Sequence, residues 1–129
     1  MNEADGAQNL QQITFLQVED LETTDRFYRE HLGLELVLDQ GACRIYRVGA
    51  DAFVGFCDHR DGPSPDGVIL TLVRQDVDTY CDRLREKGVE LESGPTDNET
   101  FQIRQAFVRD PDGYLVEIQR FDDPEWPEQ

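Results

Sequence analysis

The sequence predicts an α+β chain made of two βαβββ modules, whose mixed sheets curl around a shared cleft. Three observations carry that prediction. The first is an internal repeat. Ile13-Thr14-Phe15-Leu16-Gln17-Val18-Glu19-Asp20-Leu21-Glu22 returns 56 residues later as Ile69-Leu70-Thr71-Leu72-Val73-Arg74-Gln75-Asp76-Val77-Asp78. Asp25-Arg26 and Gly33-Leu34-Glu35-Leu36 return as Asp82-Arg83 and Gly88-Val89-Glu90-Leu91, and Arg47 to Cys57 lies over Arg109 to Gln119. The second is a change of period inside each copy. A short strand-like run passes through an aspartate into an apolar stripe of helical spacing that stops at a glycine. The third is the closing pair of strands in each copy, joined by turn formers.

Taken in order, residues 1–11 read as a disordered or loosely docked arm, and Ile13 to Val18 as a strand. Asp20 is placed to cap a helix by accepting backbone N–H bonds. Leu21, Thr24, Phe27, Tyr28 and Leu32 share one helical face, and Gly33 is the stop. Strands follow at 34–39, 43–48 and 52–57, the last two joined by Gly49-Ala50-Asp51. The segment 59–67 is rich in Gly, Pro, Ser and Asp and reads as a linker. The second copy runs through a strand at 68–73 and an Asp76 cap. Its helical face is Val77, Tyr80, Cys81 and Leu84, and Gly88 is the stop. Strands then follow at 89–92, 102–108 and 114–120. Asp110-Pro111-Asp112-Gly113 is a strong turn signal between the last two. The tail 122–129 carries Trp126 and is free to pack on a neighbour.

A chain of 129 residues suits a single domain spanning 1–129. Module one covers about 12–58 and module two about 68–121. Each alone would bury too little surface, so a shared core is expected. Net charge is −16, with Lys87 the one lysine among twelve basic residues. Spread along the chain, that charge excludes nucleic acid, whose phosphates need a basic face. It fits a salt-adapted surface, a field that attracts cationic ligands, or an ordinary acidic protein. No apolar run is long enough to span a membrane, and residues 1–12 lack the basic and apolar regions of a signal peptide. A cytoplasmic protein is expected. Cys43, Cys57 and Cys81 read as buried free thiols, with neither a disulfide framework nor a CxxC metal spacing.

Two motifs carry a family resemblance. One is Val18-x-Asp20-Leu21 leading to Phe27-Tyr28 and Leu32-Gly33-Leu34. The other is Asp110-Pro111-Asp112-Gly113-Tyr114-Leu115-Val116-Glu117-Ile118. Within a βαβββ repeat they resemble the vicinal oxygen chelate superfamily of glyoxalases, bleomycin-resistance proteins and extradiol dioxygenases, over residues 10–121. The resemblance implies a homodimer and a divalent metal held by the first and last strands of each module. Carried onto this chain, those positions are Ile13, Gly55, Ile69 and Glu117. Three of the four have no side-chain donor, and a transition-metal site needs several His, carboxylate or thiolate ligands. No metal or other cofactor is therefore expected; a divalent metal on an unusual ligand set is the alternative. His31, near a helix C-terminus, and His59, in the linker, are read as outside any metal site.

Side chains alternate along a strand. If the four positions face inward, so do Phe15, Gln17, Phe53, Cys57, Thr71, Val73, Leu115 and Gln119. The ligand-binding residues predicted are Phe15, Gln17, Phe53, Cys57, Thr71, Glu117 and Gln119, apolar walls with a few orienting polar groups. Glu117 is the candidate catalytic residue, a general acid or base in apolar surroundings. Its structural alternative is a buried carboxylate bonded to an arginine such as Arg104 or Arg47. Cys57 is read as packing in preference to a nucleophile, and the facing of Tyr46 stays open. Two functions compete. One is a bleomycin-resistance-like protein that sequesters a small molecule with its metal site largely vacated. The other is a glyoxalase-like lyase, isomerase or dioxygenase using Glu117 with an atypical metal or as a metal-free base. A fold-only partner protein is the third reading.

Overall fold

The structure, a computed structural model, describes residues 10–127. Most of the predicted arm (1–9) and the last two tail residues lie outside that range. The chain divides between Ser64 and Pro65, within the predicted linker, into two compact units. Each unit is a four-stranded mixed sheet with one helical segment, the α+β two-module class predicted from the repeat.

The first unit contains β1 (Gln12–Gln17), α1 (Leu21–Asp25), β2 (Glu35–Asp39), β3 (Cys43–Gly49) and β4 (Ala52–Cys57). Its sheet order is β1-β4-β3-β2. The pairing of β1 with β4 is parallel, and the other two pairings are antiparallel. The helix supplies the crossover that brings β1 alongside β4, while β3 and β4 need only a tight turn. Asp20 caps α1 as expected, its carboxylate accepting from Thr23 N at 3.1 Å. Beyond Asp25 the coil widens into a π-helical stretch, Arg26–His31, where Leu32 N donates to Phe27 O at 2.9 Å. The predicted apolar stripe survives this widening: Leu21, Thr24, Phe27, Tyr28 and Leu32 are all buried.

Those residues cover the even-numbered face of the sheet, where Leu16, Tyr46, Val54 and Phe56 are buried. Phe56 is fully enclosed, with its ring centroid 4.3 Å from that of Tyr28 and 5.7 Å from that of Tyr46. Burial of side chains this size stabilises by roughly 1.5–3 kcal/mol each. Tyr46 therefore belongs to the helix side. There its hydroxyl donates to Asp25 Oδ1 at 2.7 Å, while Arg29 Nε donates to the same carboxylate at 3.0 and 3.2 Å. Burial alone would push the Asp25 carboxyl upward, but the bonds from Arg29 and Tyr46 outweigh it and hold the group below its ordinary range.

The second unit repeats the plan with β5 (Ile69–Val73), α2 (Val77–Glu86), β6 (Leu91–Asn98), β7 (Ile103–Arg109) and β8 (Leu115–Phe121), in the order β5-β8-β7-β6. Val77, Tyr80, Cys81 and Leu84 are buried on the helix, and Ala106, Val108, Val116 and Ile118 on the sheet. Gly33 and Gly88, with φ of +84° and +88°, end the helical segments where expected. In the closing turn Asp110 Oδ1 accepts from Asp112 N and Tyr114 N, each at 2.9 Å.

Two expectations for this unit need correction. Asp76 makes no side-chain cap bond to α2. Its carboxylate is taken by Arg74 at 2.8 and 3.1 Å and by Arg83 at 3.3 Å, stronger charge-assisted partners than a backbone N–H. β6 extends to Asn98, past the predicted end at 92 and through Gly94 and Pro95. It is an edge strand with register shifts on both sides of Ser93, and an edge bulge accommodates both residues. At Gly94 a Cβ would also run into the Gln105 carbonyl, so the close approach of β7 requires glycine. In the tail, Trp126 stacks on Phe121 of its own chain at 3.7 Å between ring centroids. Among the described residues no helix is long and apolar enough to cross a membrane.

Candidate functional site

The odd-numbered face of each sheet is the one the helices leave open, and every predicted site residue lies there. In the first unit the register sets Ile13 beside Phe53, Phe15 beside Gly55, and Gln17 beside Cys57. In the second it sets Ile69 beside Leu115, Thr71 beside Glu117, and Val73 beside Gln119. Phe15–Gly55 and Thr71–Glu117 are thus the same place in the two copies.

In the second unit that place is polar. Glu117 is 8% exposed, and its Oε1 accepts from Thr71 Oγ1 at 2.8 Å. Gln119, two residues on along β8, points to the same face. With its amide turned so that its bonding is satisfied, Gln119 Nε2 donates to Glu117 Oε2 at 2.7 Å and to Oε1 at 3.0 Å. Phe107, directly across from Glu117 on β7, and Val73 and Leu115 supply apolar flanks. A groove of about 420 Å³ opens at the Ile69–Leu115 end of this sheet, also lined by Pro65, Arg109 and Gly113.

The expected arginine partners of Glu117 are engaged elsewhere. Arg104 has even parity, so it reaches the helix side, where it binds Asp78 and Asp97 at 2.9 Å each. Arg47 pairs with Glu35 at 3.2 Å and lies 5.0 Å from the Phe53 ring centroid. Glu117 is instead held by neutral donors. A carboxylate offers about four lone-pair directions. Three are taken by Thr71 and Gln119, leaving one at Oε2.

In the first unit the same place is apolar. The Phe15 ring lies across Gly55 so closely that a Cβ there would collide with its edge. Phe15 itself is 47% exposed, as are Ile13 at 43% and Ile69, in the second unit, at 55%. Gln17 and Phe53 are half-buried.

Cys57 departs from its expected state: it forms a disulfide with Cys43. Of the three cysteines read as free thiols, Cys81 alone is free. The register explains the pairing. β3 and β4 form a hairpin in which Cys43 and Cys57 are opposite one another, with Cα atoms 4.2 Å apart. Asp58 N donates to Ala42 O at 3.1 Å, which makes 43–57 a position where no backbone bonds join the two residues and side chains come closest. The signal was present in the sequence, because positions 43 and 57 are equidistant from the Gly49-Ala50-Asp51 turn. His59, assigned only to a linker, places its Nδ1 3.7 Å from Cys43 Sγ.

Comparison with known proteins agrees with the geometry. The profile of the Glyoxalase/Bleomycin resistance protein/Dioxygenase superfamily matches residues 9–118, and the chain belongs to that superfamily. A Bacillus subtilis (strain 168) protein, the uncharacterized YraH, is 30% identical over 84% of this chain and 95% of its own length. The lactoylglutathione lyase of Escherichia coli O157:H7 is 32% identical over 81% and 87%. Among solved structures, TnmS3, an antibiotic binding protein from Streptomyces sp. CB03234, superposes with a TM-score of 0.72. It is 32% identical over 85% of this chain and 93% of that one.

Proposed function

We propose that this protein is a metal-free small-molecule binder of the bleomycin-resistance type, holding its ligand on the open face of the Glu117 sheet. The observation that carries the reading is the carboxylate fixed by Thr71 and Gln119 among apolar neighbours, with one acceptor direction left. Such a group orients a ligand N–H or cation, while Phe107, Val73 and Leu115 supply apolar contact. Net charge of −16 attracts cations over a distance. The likeness to an antibiotic binding protein points the same way.

The donor set argues against the superfamily's metal. Ile13, Gly55 and Ile69 offer no ligand atom, Phe15 occupies the space over Gly55, and Glu117 is committed to Thr71 and Gln119. The exposed Ile13, Phe15 and Ile69 support a homodimer that covers them, which light scattering will register as twice the chain mass. The setting proposed is cytoplasmic. A thermal-shift screen with metal-free bleomycin, other cationic natural products and aromatic acids tests the binding role. Stabilisation by a cationic aromatic compound is expected; an unchanged melting temperature across the whole panel would remove the proposal.

A second reading has support in the lyase-named relative. In it, Glu117 acts as a general base in a glyoxalase-like lyase. Formation of lactoylglutathione by metal-free protein, lost in Glu117→Gln with the fold intact, is the result that would establish it.

A further inference from the structure

We propose that Cys43, Cys57 and His59 form a redox-gated binding site for a thiophilic divalent cation, Zn²⁺ in the first instance. The three ligand atoms lie within 4.8 Å of one another. The site sits one side-chain step along the open face from Gly55, on positions other than the four the superfamily uses.

The frame around it is fixed by backbone bonds. Cys57 O accepts from Val18 N at 2.9 Å, Cys43 O from Gln40 N at 2.8 Å, and Ala42 O from Asp58 N at 3.1 Å. His59 follows Asp58 directly, so its position is set within one residue of the sheet. Tetrahedral zinc with Zn–S near 2.3 Å and Zn–N near 2.05 Å places sulfur and nitrogen about 3.6 Å apart, and two sulfurs about 3.8 Å apart. The 3.7 Å between Cys43 Sγ and His59 Nδ1 already meets the first requirement for one sulfur, and Cys57 Sγ lies within 4.8 Å of the imidazole. Breaking the S–S bond and turning the two side chains apart meets the second without moving a strand.

Two thiolates and an imidazole are a donor set that selects soft or borderline metals. Cys57 is buried, Cys43 half-buried and His59 exposed, so the fourth position opens to solvent. Three protein ligands and an open position describe an exchangeable site, not a closed structural one. In the oxidised form the disulfide removes both sulfur ligands. A thiol reductant opens it by exchange: two R–SH become R–S–S–R, and Cys43 and Cys57 each take up a hydrogen. Zn²⁺ then displaces two protons. A low-molecular-weight disulfide reverses the cycle by accepting two electrons from the thiolates, and the cation leaves.

Cobalt titration followed by absorption is the test, with the full chain reduced by a phosphine and freed of metal. Reduced protein should take one equivalent of Co²⁺, with thiolate-to-cobalt charge transfer and intense tetrahedral d–d bands that Zn²⁺ bleaches. Oxidised protein should give neither. Cys43→Ser should abolish the charge-transfer band. Cys81→Ala should keep it, because Cys81 is buried on α2 in the other unit. His59→Ala leaves the thiols and the sheet intact and should weaken cobalt binding at least about tenfold. Absence of the band in reduced protein whose three thiols are titratable on unfolding would overturn the proposal, and so would equal affinity in His59→Ala.

Discussion

Where the first sheet sets Phe15 beside Gly55, the second sets Thr71 beside Glu117. Further along the same two strands, Cys57 stands where Gln119 does, and Phe56 where Ile118 does. On the helix-covered side both sheets obey one rule, since Phe56 and Ile118 are both fully buried. On the open side both keep an isoleucine, Ile13 and Ile69, but they diverge at the Gly55/Glu117 and Cys57/Gln119 positions. One copy closes its site with a ring over a glycine and a disulfide; the other keeps a carboxylate held by two neutral donors. Duplication thus preserved what folding needs and left the open faces free to specialise.

The largest effects belong to the conserved plan. Phe56→Ala should cost about 3–5 kcal/mol and Ile118→Ala about 2–5 kcal/mol in urea unfolding. A loss under 1 kcal/mol for either would mean the two covered faces are not equivalent. Next is Tyr46→Phe, which takes a hydrogen bond from the buried Asp25 carboxylate and should cost about 1.5–3 kcal/mol near neutral pH. The sign with pH follows from the Asp25 shift, which is downward. A depressed carboxyl contributes stability above its ordinary value of 3.8, and that contribution fades as pH falls through the folded-state value. The gap between wild type and Tyr46→Phe should therefore narrow below about pH 4, and a gap that widens on acidification contradicts the assignment.

The divergent faces predict smaller effects. Thr71→Val strips a donor from Glu117 and should cost about 1–3 kcal/mol. Gly55→Ala should cost about 1 kcal/mol through collision with Phe15, most of it recovered when Phe15 is also alanine. Additive losses in that double mutant would show that the ring does not fill the space over Gly55. Least of all, the two helix starts should differ in salt. The loss from Asp76→Ala should shrink as salt screens its pairing with Arg74 and Arg83, while that from Asp20→Ala, mainly a backbone cap, should shrink less.

The sequence carried the fold because its signals are local and come twice: apolar stripes, Gly33 and Gly88, and the Asp110 turn. It also carried the facing of the site residues, since side chains alternate along a strand once the family resemblance sets Glu117 inward and the repeat aligns Gly55 with it. What Glu117 binds was not legible. Arg104 looked available until its own parity sent it to Asp78. Asp76 looked like Asp20, but a cap depends on which partners compete for the carboxylate, and Arg74 is nearer. The cysteines were misjudged for a related reason. Oxidation state depends on a cross-strand register, and spacing along the chain was weighed without folding it about the hairpin turn.

The central claim is that Glu117 binds a ligand without a metal. Calorimetric titration of metal-free bleomycin into metal-free wild type and Glu117→Gln tests it most directly. Saturable binding to wild type is expected, weakened at least about tenfold in Glu117→Gln, or 1.4 kcal/mol, with the unfolding midpoint of the variant little changed. Equal affinity in the two proteins, or binding that appears only after a divalent metal is added, would contradict it.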